Sequence, residues 1–255
     1  MTTDLAHPPA RLLSVGDAAW TVEFGNGIDP AIHGRVLGFS SLLDTLSNDG
    51  RLEGVVEWVP TFRSVTVHFD PLRADAMTLH DLLAELADKS GSLSAAGCCW
   101  HIPVCFDASC APDLDEVAAA KGMGREDVVR LMTETVFTVY MLGFLPGFPY
   151  LGGLPEALDM PRLATPRKVV PSRSIAIAGR MCAAYPWQSP GGWRLLGRTP
   201  VRLFDPANAR RPALLTPGDQ VVWQAIDTDT YEALDQECAA GRFDLSSLLK
   251  EGEAT

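Results

Sequence analysis

Between Pro161 and Gly218 the chain carries ten of its 21 Lys and Arg side chains but a single acid, Asp205. That window has a formal charge of +9, against −20 for the rest of the chain and −11 overall. A guanidinium offers carboxylate or phosphate a rigid fork of donors, so the cluster points to an anion site. Scattered, solvated arginines on a barrel are the alternative. The candidate cations are Arg167, Lys168, Arg180, Arg194 and Arg198, and Arg167, Arg180 and Arg198 are expected to share one site. Ser189-Pro190-Gly191-Gly192, just ahead of Arg194, can offer backbone N–H groups to an anion, although a plain barrel turn reads the same way. Aromatics run through the same text: Phe144, Phe148, Tyr150, Tyr185, Trp187 and Trp193. Of these, Phe148, Tyr150, Tyr185 and Trp193 are the expected pocket-lining residues, with ordinary core packing as the competing reading.

A catalyst built on that window alone would be incomplete. The histidines are His7, His33, His68, His80 and His101, so no histidine base follows residue 101. A Ser-His-Asp or Cys-His device would need a histidine from the first half or from a partner. Cys182 therefore reads as a packing residue rather than a nucleophile. Carboxylates are sparse there too: Glu156, Asp159, Asp205 and Asp219, the last read as a turn residue in Pro217-Gly218-Asp219. Neither G-x-x-x-x-G-K-S/T nor a strand followed by G-x-G-x-x-G occurs, so a standard nucleotide cradle is absent. No catalytic residue is assigned, and the shortages favour one member of an assembly whose partner completes the site.

The cysteines, at 98, 99, 105, 110, 182 and 238, contain no C-x-x-C pair and suit reduced thiols. Four of them lie near His101, but without zinc-ligand spacing, so no metal is expected. The acidic total argues against nucleic acid and against an anionic membrane surface. MTTDLAHPPARLL has no apolar segment behind basic residues, and the apolar run from Phe137 to Pro155 is broken by Pro146, Pro149 and Pro155. A soluble, cytoplasmic protein is expected.

These residues need elements to position them. Residues 1–104 read as a small domain of order β-α-β-β-α-β: a strand at Ala19–Phe24, a helix opened by Asp29-Pro30, strands at Val55–Val59 and Ser64–Phe69, a helix begun by Thr78 with Asp81, and a last strand at Cys99–Val104. That order is a ferredoxin-like sandwich. Residues 105–255 open with two connector helices, Asp113–Lys121 and Arg125–Val136. Twelve of the 19 prolines then fall between Pro146 and Pro217, among short β-rich runs, the texture of a barrel or sandwich. A helix over Tyr231–Ala240 closes the chain. The fold class is α+β.

YMLGFLPGFPYLGGLP (140–155), PRLATPRKVVPSRSIAIAGR (161–180), YPWQSPGGWRLLGRTPVRLFDP (185–206) and LLTPGDQVVW (214–223) resemble the allophanate hydrolase subunit 1 family. That family includes the B subunit of prokaryotic 5-oxoprolinase and the sporulation-kinase inhibitor KipI. The resemblance implies a cyclophilin-like β-barrel after the small domain. It also implies a partner, the C subunit (allophanate hydrolase subunit 2 family), and a third protein that completes an ATP-dependent enzyme opening the lactam 5-oxoproline to glutamate. ATP with Mg is implied for the assembly rather than for this chain in particular, and a small anionic substrate suits the basic window. The resemblance also allows an inhibitor of a histidine kinase, or a component of the urea carboxylase and allophanate hydrolase type. Three departures stand out, the first being Met132 where many relatives carry His. Ser172-Arg173-Ser174 replaces a usual glycine, and Met181-Cys182-Ala183 stands where relatives usually carry Gln-Thr-Gly, which implies an altered substrate or reduced activity.

Overall fold

The computed structural model describes residues 9–93, 97–209 and 211–249. The chain divides into two compact units, residues 1–95 and 96–255.

The first unit holds β1 (Arg11–Ser14), β2 (Ala19–Glu23), α1 (Pro30–Asn48), β3 (Val55–Pro60), β4 (Ser64–Phe69) and α2 (Ala76–Lys89). The Asp29 carboxylate accepts the N–H groups of Ala31 and Ile32 and caps α1, with Pro30 in the first turn. Asp75 caps α2 in the same way through the Thr78 N–H, so that helix begins two residues ahead of Thr78. Along β4, Val65, Val67 and Phe69 are buried, and they form one core with Phe39 and Leu43 of α1 and Leu79 and Leu83 of α2. The sheet order is β1-β2-β4-β3, antiparallel throughout. This is the ferredoxin-like arrangement with one substitution. The edge beside β2 is filled by β1, from ahead of it, rather than by a strand following α2.

The strand expected to end the first domain at residue 104 lies in the barrel instead. It is β5 (Cys99–Cys105), followed by α3 (Leu114–Lys121), α4 (Arg125–Glu134), β6 (Val136–Leu142), β7 (Pro149–Gly152), β8 (Arg167–Val170), β9 (Ser174–Ala178), β10 (Met181–Ala184), β11 (Ser189–Gly191), β12 (Arg194–Arg198), β13 (Gln220–Ile226) and α5 (Thr228–Ala239). Seven of these strands close a barrel in the order β10-β7-β6-β13-β5-β12-β9, and β8 and β11 form a separate ribbon. β5 joins because it pairs in parallel with β13 along its whole length, from Cys99↔Gln220 to Cys105↔Ile226, while Trp100, Ile102 and Val104 enter the barrel core. The connector helices add Leu114, Val117, Val128 and Met132 to the same core.

Asp219 does more than make a turn. Its buried carboxylate accepts the N–H groups of Cys98 (2.9 Å) and Thr216 (2.9 Å), the Trp100 indole N–H (3.0 Å) and the Thr216 hydroxyl (3.1 Å). It thereby ties the start of β13 to the start of β5. No helix among the described residues is long and apolar enough to cross a membrane.

Candidate functional site

Strand alternation gives the wall formed by β7, β10, β9 and β12 two different faces. Ile175, Ile177, Cys182, Ala184, Leu151 and Leu196 point into the barrel core. Ala176, Ala178, Ala183, Met181, Tyr150 and Leu195 point the other way and join Phe148, Tyr185 and Trp193 in a second apolar cluster. Small alanines at the centre of this outer face leave room for the large rings. Phe148 packs edge-on against Tyr185 (centroids 4.9 Å) and lies 5.0 Å from Tyr150, which in turn lies 5.9 Å from Trp193. Gly191 admits the Tyr185 ring, because a Cβ there would sit 2.3 Å from the phenol oxygen. The four aromatics expected to line a pocket are thus gathered on one face, with Phe148, Tyr185 and Trp193 buried and Tyr150 half-buried.

A cation outside the expected set completes this face. Residues 160–163 run between two anchors: the Met160–Gly179 bridge and the Leu163 N–H donated to the Gly192 carbonyl at 2.7 Å. Arg162 lies between them, its guanidinium carbon 5.8 Å from the Trp193 ring centroid. Only the Pro161-Arg162 dipeptide marks it in the sequence. Burial raises the Tyr150 and Tyr185 hydroxyls above the ordinary phenol range against the opposing pull of Arg162, so both are neutral donors at neutral pH.

The basic window is far less electropositive in space than in sequence. Arg167 bonds to Asp113, Arg173 to Asp235, Arg194 to Glu116, and Arg211 lies 3.6 Å from Asp219, each anion coming from outside the window. Arg198 donates Nε to the Ser172 carbonyl (3.1 Å), with its guanidinium over the Tyr231 ring. Lys168 and Arg180 are exposed, without an ion-pair partner among the described residues. The structure separates Arg180 from Arg198. Arg180 follows Ala178 in the turn at one end of β9, whereas Arg198 pairs with Ser174 at the other end, about 13 Å of strand away. Ser189 and Gly191 lie in β11, paired with Val170 and Arg167 of β8, so this stretch is ribbon rather than an open anion loop. The Met181-Cys182-Ala183 departure also resolves by alternation: Met181 and Ala183 face the aromatics, and Cys182 faces the core.

A two-layer α/β unit followed by a closed barrel is an arrangement seen before. The solved structure of TTHA0988 aligns with a TM-score of 0.71 at 33% identity, covering 82% of this chain, which spans 40% of that chain's length. The family model for the carboxyltransferase domain, subdomain C and D, matches residues 10–215, and the chain belongs to that family. The 5-oxoprolinase B subunit of Bacillus subtilis (strain 168) is 33% identical over 241 residues, covering 89% of this chain and 97% of its own. The 5-oxoprolinase B subunit of Escherichia coli O157:H7 is 37% identical over 212 residues, covering 83% and 94%.

Proposed function

We propose that this chain is the B-type subunit of a 5-oxoprolinase-like assembly, which opens the lactam of 5-oxoproline to glutamate with ATP hydrolysis. The observation that carries this reading is the near full-length match, in both directions, to relatives named as 5-oxoprolinase B subunits. The outer face suits a small ring bearing one carboxylate. Arg162, with Arg180 in the turn beside Met181, offers the charge, while Tyr150, Trp193 and Met181 offer an apolar seat and a neutral phenol donor for the lactam oxygen.

Opening the ring requires a water oxygen to bond to the lactam carbon, the C–N bond to break, and the nitrogen to leave protonated. Asp113 already holds Arg167 and the Leu195 N–H, and in this reading a base for that water comes from another member of the assembly. ATP supplies the driving force by activating an otherwise unreactive amide. Mg-bound nucleotide asks for one or two carboxylates beside the phosphates. The clustered residues of this face include none, and we place the nucleotide on another member of the assembly. The assembly we propose includes a C-type partner and a third protein.

Co-expression with those two proteins, followed by an assay of 5-oxoproline-dependent ATP hydrolysis and glutamate release, tests the proposal. Turnover only when all three are present is the expected result. A stable three-protein complex that ignores 5-oxoproline would overturn the substrate assignment.

A further inference from the structure

A cavity of about 440 Å³ lies apart from the aromatic face, large enough for a small ligand with a few waters. Trp187 and Phe204 form one wall, stacked edge-on with centroids 6.0 Å apart, and the indole is markedly exposed for so large an apolar group. The other walls carry Arg173, Arg202, Asp205 and Asp235.

These four charges are unevenly matched. Arg173 and Asp235 answer each other, and Arg173 Nη1 also donates to the Pro200 carbonyl at 2.8 Å. Arg173 reaches them from a backbone φ of 67°, a left-handed conformation that disfavours any residue with a Cβ. Its carbonyl accepts the Thr199 N–H at 3.0 Å, and its own N–H donates to the Tyr185 carbonyl, so the strained backbone is pinned at both ends. Backbone strain held in place this way concentrates where a side chain must be aimed. Arg202, by contrast, is exposed and has no ion-pair partner among the described residues. Asp205 accepts the Ala207 N–H at 3.0 Å and likewise has no cation among them. One unmatched cation and one unmatched anion therefore line the same cavity beside an exposed indole.

We infer that this cavity binds a free α-amino acid with an aromatic side chain, its carboxylate on Arg202, its ammonium on Asp205 and its ring against Trp187. A phosphate would meet both Asp205 and Asp235, and an uncharged hydrocarbon would strip water from two unpaired charges without replacing it. None of these residues lies on the aromatic face, so the inference stands independently of the 5-oxoproline reading.

The test is calorimetric titration of the full chain with L-phenylalanine, alongside 3-phenylpropionate, 2-phenylethylamine and L-glutamate. Saturable binding of L-phenylalanine is expected, with each of the other three at least about tenfold weaker. Arg202→Ala and Trp187→Ala are expected to weaken binding by at least about tenfold, and Arg202→Ala, at an exposed position without an ion-pair partner among the described residues, to leave the thermal midpoint unchanged. No saturable heat with L-phenylalanine, equal binding of 3-phenylpropionate or L-glutamate, or indifference to Arg202→Ala would each overturn the assignment.

Discussion

Asp113 and Leu195 hold each other twice. The Asp113 N–H donates to the Leu195 carbonyl at 3.1 Å, and the Asp113 carboxylate accepts the Leu195 N–H at 2.7 Å. The remaining carboxylate oxygen takes Arg167, which also reaches the Trp193 carbonyl. One buried anion thus fixes the start of α3, the start of β12 and the ribbon strand β8 against the aromatic face.

Removing Arg167 leaves that carboxylate buried without its cation. Arg167→Ala is expected to cost about 2–4 kcal/mol in urea unfolding, toward the lower end because Arg167 is partly exposed and Asp113 keeps its backbone bond. The double variant with Asp113→Ala should cost less than the two single losses together, by at least about 1 kcal/mol. Strict additivity would show that the two residues act independently.

Asp219 joins two strand starts through four hydrogen bonds. Asp219→Ala leaves buried donors unsatisfied and is expected to cost about 3–5 kcal/mol, lowering the thermal midpoint by roughly 10 °C. A shift below a few degrees in calorimetry would mean that water replaces the carboxylate.

Alkaline pH should weaken the barrel. Burial pushes the Cys182 thiol, in the barrel core, from 9.0 up to about 12, and the Cys105 thiol, beside Cys110 and Tyr231, up to about 11. Below about 9 both states keep these protons and nothing is lost. Above it the unfolded chain ionises first, so stability falls as pH rises from 9 toward 12, by up to about 1.4 kcal/mol per pH unit for each thiol. Cys182→Ala should flatten that decline between pH 9 and 11. An identical slope in wild type and variant would remove Cys182 as a cause.

Arg162 is exposed and, among the described residues, packs over the Trp193 ring without an ion-pair partner, so Arg162→Ala should leave stability within about 0.5 kcal/mol. In the proposed 5-oxoprolinase-like assembly it should raise the KM for 5-oxoproline about tenfold or more, the loss of one charge-assisted contact. Arg162→Lys should recover part of that. An unchanged KM would move the substrate carboxylate elsewhere.

Sequence signals are legible where local physics decides. Asp29-Pro30 starts a helix because a side-chain acceptor and a fixed φ suffice. The alternating run Ser64–Phe69 is a half-buried strand for similar reasons. Alternation in Cys99–Val104 marks a strand too, but not its sheet, since its partner lies some 120 residues onward. Arg11–Ser14 carries no pattern at all, being a short edge strand that is mostly exposed. The aromatics of the candidate face are legible as residue types, whereas the charge misleads. Its neutralising acids, Asp113, Glu116 and Asp235, come from the N-cap and first turn of α3 and from α5, which nothing in the window announces.

The parallel pairing of β5 with β13 has a consequence for how the chain is made. During synthesis the first unit has every strand of its sheet once Phe69 has emerged, and both helices by Lys89. The barrel cannot close until Ile226 leaves the ribosome, so β5 waits through more than a hundred residues with its ladder edge open. Over that interval the nascent chain exposes an apolar, unpaired strand, and this is the stretch of its life in which a chaperone has most to protect.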